Sequence, residues 1–242
     1  TSNSGQQAAL KRPLDFLVVA DHSENLGLAQ GLEASNPELL KSSLGQQLHD
    51  LLKAGKGREA FYLLVQWMAK GSEALVSNDA YLTSVWEMNN TVAERYNNPG
   101  TFTSLIGYEW TSQPGGGNLH RVVIFRDDKA LTDKILPFSA FDSEDVEDLW
   151  AFMAAYESQL GGRVLAIPHN GNLSSGTMFL PQHQKSRMAI DADYARMRQR
   201  FEPITEVTQA KGTGETHPLL SPEDEFANFN IVDNSNILQT PT

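Results

Sequence analysis

The sequence predicts an α/β fold, and three features of its hydropathy pattern support this prediction. Short apolar runs, such as residues 16–20 and 164–167, are bounded by polar residues, as is typical of buried strands. Between the first two strand-like runs, apolar residues recur at helical spacing over about 70 residues. A Gly-rich turn separates two further runs and predicts a β-hairpin.

The composition limits the kinds of partner and of ligand residue that this protein can have. The chain has 242 residues and a net charge of −11, which argues against nucleic-acid partners because phosphate binding needs a basic face. A small anionic substrate held through a metal remains compatible with this charge. Cysteine is absent, so neither disulfides nor thiolate ligands are available. No apolar run reaches the roughly 20 residues of a membrane span, and we expect a soluble protein of the cytoplasm or periplasm.

The first predicted strand, at residues 14–20, ends in a cluster of polar residues. Its unbroken apolar run predicts burial on both faces. Directly after it stand Asp21, His22 and Glu24, where an α/β fold carries its chemistry. A simpler alternative is that Asp21 or Ser23 caps a helix and His22 is incidental.

Residues 27–100 predict several helices. Asn36-Pro37 is a helix start signal, and residues 79–96 form a helical segment that ends before the turn at 97–100. This is more helix than one crossover needs. We therefore expect a mainly helical insertion at about 27–100 with its own small apolar core beside the site.

The next strands carry further potential ligands at their ends. Strands at 103–108 and 120–125 form the predicted hairpin, which brings Glu109 beside His120. A buried strand at 163–167 is followed by His169. A solvated loop carboxylate is the alternative interpretation of Glu109.

The rest of the chain predicts a helix capped by Asp142 or Ser143, a charged helix over 189–200, and a short strand over 204–207. A last short helix opens at Ser221-Pro222, and the polar tail from residue 233 onward is expected to fray.

Taken together, the strand ends predict a metal site. Three strands end in His or Glu, and His120 adds a fourth group at the same edge. Imidazole and carboxylate ligands without thiolate suit zinc, manganese or iron. A metal held there lowers the pKa of bound water and polarises an ester or amide.

These segments resemble the polymerase-and-histidinol-phosphatase (PHP) superfamily. The similarity lies in residues 19–24 around Asp21-His22, 106–110 around Glu109, 118–121 around His120 and 167–172 around His169. Residues 205–212 and 217–226 also match a long bacterial branch of that superfamily, catalogued as a domain of unknown function.

The resemblance implies that residues 1–242 are a single PHP-like domain, part of a distorted (β/α) barrel with metals at the C-terminal ends of its strands. It makes His22, His120 and His169 metal ligands and Glu109 a bridging carboxylate. Asp21 orients a ligand or serves as an occasional ligand. We take Glu109 and His169 as the candidate catalytic residues. Five further residues are expected to line the cleft: Glu24, Asn170, Glu206, Lys211 and His217. Of these, Lys211 is expected to face an anion.

The sequence departs from the superfamily in two motifs. The opening His-x-His pair and the closing Asp-x-His pair are absent, so we expect a piece of a longer protein whose divalent metal is absent or only partly bound. The leading hypothesis is a fragment of a metal-dependent hydrolase, in particular a phosphoesterase acting on a small molecule. An amidohydrolase-type enzyme and a non-catalytic binding domain with a degenerate metal site are the alternatives.

Overall fold

The protein has a mixed α/β architecture built on one four-stranded sheet. The computed structural model describes residues 5, 7, 9–68, 75, 78–214 and 216–232, so the expectation for the tail from residue 233 lies outside the described residues. The strands of the main sheet are β1 (Phe16–Val18), β2 (Thr103–Trp110), β3 (Arg121–Phe125) and β4 (Val164–Pro168). The helices are α1 (Leu28–Glu33), α2 (Ser43–Lys53), α3 (Gly57–Met68), α4 (Asp79–Tyr96), α5 (Lys129–Thr132), α6 (Val146–Leu160) and α7 (Ala192–Phe201).

The strand order β1-β2-β3-β4 follows the chain. β1 runs parallel to β2, with Val18 opposite Leu105, while β3 is antiparallel to both β2 and β4. The predicted hairpin is therefore confirmed, with Glu109 opposite Val122. Because β1, β2 and β4 point the same way, all three end at the edge where β3 begins.

One face of the sheet carries the main core. Alternate residues of β2 and β3, among them Tyr108, Trp110 and Phe125, are fully buried, as the two-residue period of a strand requires. Helices α4 and α6 pack on this face, and Trp86 and Trp150 are among the side chains that they contribute to the cluster. Glu109 lies on the opposite face, since it alternates with Tyr108 and Trp110.

The prediction that the first strand is buried on both faces is wrong. β1 is three residues long, and Phe16 and Leu17 are 66% and 43% exposed. The reason is that β1 lies at the edge of the sheet and, among the described residues, pairs only with β2. β4 is likewise fully buried only at alternate positions. An apolar run shows that a strand can be covered on both faces. Whether the strand is covered depends on the elements that lie beside it.

The four strands form an open sheet, and no closed barrel exists among the described residues. This part of the barrel expectation is therefore not met within the described ranges. No helix within these ranges has both the length and the apolarity that crossing a bilayer requires.

The described part of residues 27–100 is mainly helical and has a second apolar cluster. Leu28, Leu32, Leu39, Leu48 and Ala60 are its buried members. α4 ends where the sequence predicts, and the Asn78 side chain caps its first turn. The start at Asn36 is only partly right: its side chain accepts from Glu38 N, but α2 begins later, capped by Ser42.

Three smaller predictions in the C-terminal third differ from the structure. α6 is capped by Asp145 rather than by Asp142 or Ser143. The strand expected at 204–207 is irregular, and a small hairpin follows instead, formed by β5 (Thr208–Gln209) and β6 (Gly212–Thr213). The segment after Ser221 forms turns rather than a helix. In this segment Ala227 is buried but Phe226 and Phe229 are exposed, so no apolar face holds a helix on the core.

Candidate metal centre

The candidate site is assembled at the shared end of β1, β2 and β4. The backbone carbonyl of Asp21 accepts a hydrogen bond from Glu109 N at 2.8 Å, and Glu109 O accepts one from Ser23 N at 2.8 Å. These two bonds place His22 beside Glu109 as a parallel bridge. His120, at the start of β3, is bonded through its carbonyl to His169 N at 3.1 Å. The sheet ladder therefore continues into the site.

Glu109 lies at the centre of three imidazoles. Its Oε1 accepts from His120 Nδ1 at 2.8 Å and from His169 Nε2 at 3.0 Å. Its Oε2 is 3.5 Å from His22 Nδ1. The ring centroids of His22 and His120 are 5.9 Å apart, and those of His120 and His169 are 5.8 Å apart. One carboxylate thus holds three rings in a single cluster.

Burial and charge act in opposite directions on the titration of this cluster. Burial raises the pKa of Glu109, but hydrogen bonds from His120 and His169 outweigh it and hold that pKa far below its usual range. Burial lowers the pKa of His120, and this effect exceeds the opposing hydrogen bond to Glu109. The carboxylate is therefore charged and His120 is neutral near pH 7, which are the forms that bind metals.

The group formed by His22, Glu109 and His120 could hold a metal ion. Ligand atoms of all three residues lie within 4.8 Å of one another. Exposure decreases across the group, from His22 at the surface through Glu109 to buried His120. A cation would therefore enter from the His22 side. His169 contacts Glu109 but does not belong to this tight group.

The other two residues of the first strand end are placed differently from each other. Asp21 is exposed and, among the described contacts, joins the site through its backbone carbonyl, outside the tight group. Glu24 is 6% exposed, and its Oε1 accepts from Ala140 N at 2.6 Å and from Thr111 N at 3.2 Å. The structure therefore places the Glu24 carboxylate in the interior, where it connects the backbone at Thr111 and at Ala140.

Asn170 and Glu206 lie beside His169. Asn170 is buried with φ at 72°, and its backbone N–H donates to Glu206 Oε2 at 3.2 Å. Glu206 N in turn donates to Pro168 O at 3.0 Å. Gln209 Nε2 donates to Asn170 Oδ1 at 2.9 Å, which ties the small hairpin to the end of β4.

Among the described residues, the last two expected cleft residues make no contact with the histidine cluster. Lys211 is exposed at the turn between β5 and β6, where its carbonyl accepts from Asn172. The ring of His217 accepts from Leu219 N within its own turn. Among the described contacts, neither side chain reaches Glu109 or the imidazoles.

Three polar residues that are not among the expected site residues contact the imidazoles. Thr111 Oγ1 is 2.5 Å from His22 Nδ1. Gln113 and Asn118 place side-chain nitrogens 3.1 and 3.3 Å from His120 Nε2. The available signal was their position, since all three belong to the ten-residue link between Glu109 and His120.

Comparison with known proteins places the chain in a family but gives it no characterised relative. No curated protein and no solved structure matches it. A family model described as "Protein of unknown function (DUF3604)" matches residues 1–242. Since this match spans the whole sequence, the chain belongs to the DUF3604 family.

Proposed function

We propose that this chain binds a divalent metal at the Glu109 cluster and forms part of a metal-dependent hydrolase of the PHP type, in particular a phosphoesterase. The observation that carries the proposal is one carboxylate contacted by three imidazoles at a shared strand edge. Helix capping after each strand does not explain this arrangement, because the four residues come from four separate segments of the chain.

The donor set fits zinc, manganese or iron. Neutral imidazoles and a charged carboxylate are ligands that these ions accept, and the lowered pKa values of Glu109 and His120 keep both groups free of competing protons near pH 7. The proposed ligands are His22, Glu109 and His120, with His169 adjoining through Glu109.

The chemistry divides between the metal and the chain. When bound, the ion lowers the pKa of a water molecule and polarises a phosphate ester or other bond. The chain contributes the orientation of its ligands: Thr111 holds the ring of His22, and Glu109 joins the rings of His120 and His169. A small phosphorylated substrate is the proposed ligand, approaching from the exposed His22 side.

Metal analysis and hydrolysis test the proposal together. The purified chain, first stripped by chelation, is titrated with zinc or manganese, and hydrolysis of bis(p-nitrophenyl) phosphate is followed. With only three close ligands we expect one weakly bound ion and little turnover. His22→Ala should abolish the binding, whereas His49→Ala, in α2 and away from the site, should leave it unchanged. Equal metal binding by the unchanged protein and His22→Ala would contradict the assignment.

A second candidate is a metal-binding module without turnover. The observation that favours it is the small size of the tight group, in which Asp21 takes no part. Stoichiometric metal binding without phosphodiester or amide hydrolysis would support this candidate. Hydrolysis of an amide but not of a phosphodiester would instead favour the amidohydrolase-type alternative.

A further inference from the structure

His120 differs from the other two imidazoles because side-chain amides contact its second ring nitrogen. Its Nε2 lies 3.1 Å from Gln113 Nε2 and 3.3 Å from Asn118 Nδ2, while its Nδ1 lies 2.8 Å from Glu109 Oε1. The side chain is only 6% exposed. Both ring nitrogens of His120 are therefore engaged by protein groups rather than by bulk water.

These partners determine where the proton of the neutral ring lies. An ionised carboxylate can only accept a hydrogen bond, so Nδ1 must carry the hydrogen that it donates to Glu109. An amide nitrogen can only donate, so Nε2 must be the acceptor for Gln113 or Asn118. The metal-free ring is thus the Nδ1–H tautomer.

We propose that Gln113 and Asn118 are positioning residues that reserve Nε2 of His120, so that this ring binds the metal through Nδ1. The inference rests on the proposed metal-binding function and specifies how one of its ligands works. Metal-ligating histidines generally hold their other nitrogen in a fixed hydrogen bond, which sets both tautomer and ring orientation.

An amide is suited to this position because it can serve both states of the ring. When a metal takes the place of the Nδ1 proton, the neutral ring carries its hydrogen on Nε2 and needs an acceptor there. A half-turn of a Gln or Asn side-chain amide presents its oxygen instead of its nitrogen. A carboxylate could serve only the metal-bound state, and an apolar side chain could serve neither.

The surrounding turn holds both amides in place. Leu119 N donates to Ser112 O at 2.9 Å, closing the loop at its base, and Asn118 N donates to Leu173 O at 3.0 Å. Gln113 N donates to Glu144 Oε1 at 3.1 Å. The backbone of both residues is therefore fixed independently of their contacts with His120.

Nitrogen NMR and metal affinity test the proposal on three variants. In ¹⁵N-labelled, metal-free protein, long-range ¹H–¹⁵N spectra should show the His120 proton on Nδ1, and zinc should move it to Nε2. Gln113→Leu should lower zinc affinity about 10-fold, as loss of a ligand's outer partner does. Gln113→Glu should bind zinc at least as tightly, while its metal-free ring should gain a hydrogen on Nε2 beside the one that Nδ1 donates to Glu109.

The matched control is Gln184→Leu, which removes a side-chain amide bonded to the carbonyl of Glu144 rather than to an imidazole. It should leave both the His120 shifts and zinc affinity unchanged.

Three outcomes would overturn the inference. They are a proton on Nε2 in the metal-free protein, Gln113→Leu and Gln184→Leu behaving alike, and zinc binding to His120 through Nε2. If Gln113→Leu fails to fold, the nearly isosteric Gln113→Glu decides through its nitrogen shifts. If the protein without substitutions fails to bind zinc, the proposed function is wrong. The ¹⁵N chemical shifts of the metal-free protein would still show whether the amides fix the tautomer of His120.

Discussion

At the scale of single residues, the charge of Glu109 determines the behaviour of the site. This carboxylate accepts from two imidazoles and faces a third. Neutralising it removes the negative ligand of the proposed site and leaves His22, His120 and His169 without their common partner. The loss should therefore affect metal affinity more than any change at a neighbouring loop.

Glu109→Gln tests this directly. Loss of an outer partner typically costs about 10- to 100-fold in metal affinity, so loss of this ligand should cost at least about 100-fold. Competition with a chromophoric chelator measures the change. Glu33→Gln, an exposed carboxylate in α1, serves as the control for a change of overall charge. Equal losses in both variants would mean that Glu109 acts only through net charge.

Glu109 and His120 should also make the stability of the protein depend on pH. The folded pKa of His120 lies below its ordinary value of 6.5, and that of Glu109 lies below its ordinary value of 4.5. In both cases the unfolded chain takes up the proton first, so stability is full above the ordinary pKa and falls as the pH drops below it. Each group contributes a slope of at most about 1.4 kcal/mol per pH unit.

Urea unfolding of the metal-free protein between pH 8 and pH 5 measures this slope. We expect the free energy of unfolding to decline from about pH 6.5 downward. His120→Gln should flatten the decline over this range, because its amide does not titrate. An identical slope in the variant would assign the pH dependence to other groups.

Residue-level reasoning from sequence reached Glu109 and the three imidazoles around it but not the partners of these groups. His22, Glu109, His120 and His169 could be predicted because strand ends impose their placement. Gln113 and Asn118 lie in a Gly-rich turn, where no period relates one residue to another. Their contacts depend on how the turn closes against other loops, which a single sequence does not encode in any local pattern.

At the scale of secondary-structure elements, the turn between β2 and β3 depends on one close backbone approach. A Cβ placed on Gly117 would lie 2.6 Å from the carbonyl oxygen of Ser174, and backbone cannot move aside as a side-chain end can. Gly117 therefore lets this turn pack against the loop that follows β4.

Gly117→Ala should destabilise the protein by about 1–3 kcal/mol, the usual cost of overpacking. It should also weaken metal binding by displacing Asn118. Gly57→Ala is the matched control, because nothing lies near its added Cβ, and it should be neutral or slightly stabilising. Chemical unfolding of both variants provides the measurement. A loss in Gly57→Ala as large as that in Gly117→Ala would exclude the steric explanation.

The elements differ in how far the sequence could predict them. α4 was predicted closely because a strong turn signal at residues 97–100 ends it, and the structure adds a cap from the Asn78 side chain at its start. The exposure of β1 was not predicted. Phe16 and Leu17 would be covered only if a further neighbour lay beside this edge strand. Residues 204–207 have strand-forming composition but lie against Pro168 through single bonds from Thr205 and Glu206, without a ladder.

At the scale of the whole molecule, the net charge of −11 and the carboxylate of the proposed site both favour the binding of cations. An acidic molecule attracts cations and repels polyanions, which is consistent with the proposed metal and with the prediction that nucleic acid does not bind. Binding to the folded state alone also stabilises it, by about 2.7 kcal/mol at a metal concentration of 100 Kd.

The two apolar clusters raise the question of whether the molecule unfolds as one unit. α4 packs on β2 in the main cluster, while α1, α2 and α3 surround the second cluster. Leu82 of α4 packs against both, and Tyr81 Oη donates to Gly27 O at 2.8 Å. Among the described residues, Leu82 is the one side chain that packs against both clusters, so we expect the helices to open at lower free energy than the sheet.

Leu48→Ala tests this separation because Leu48 is 2% exposed and belongs to the second cluster alone. Truncating such a side chain costs about 2–5 kcal/mol. We expect hydrogen exchange to speed up across α1, α2 and α3 while β2 and β3 keep their protection. Leu149→Ala, in the main cluster, should instead expose the sheet amides as well. Equal acceleration of every element in Leu48→Ala would mean that the bonds through α4 join both clusters into one cooperative unit, and metal binding at Glu109 would then protect the helices as strongly as the sheet.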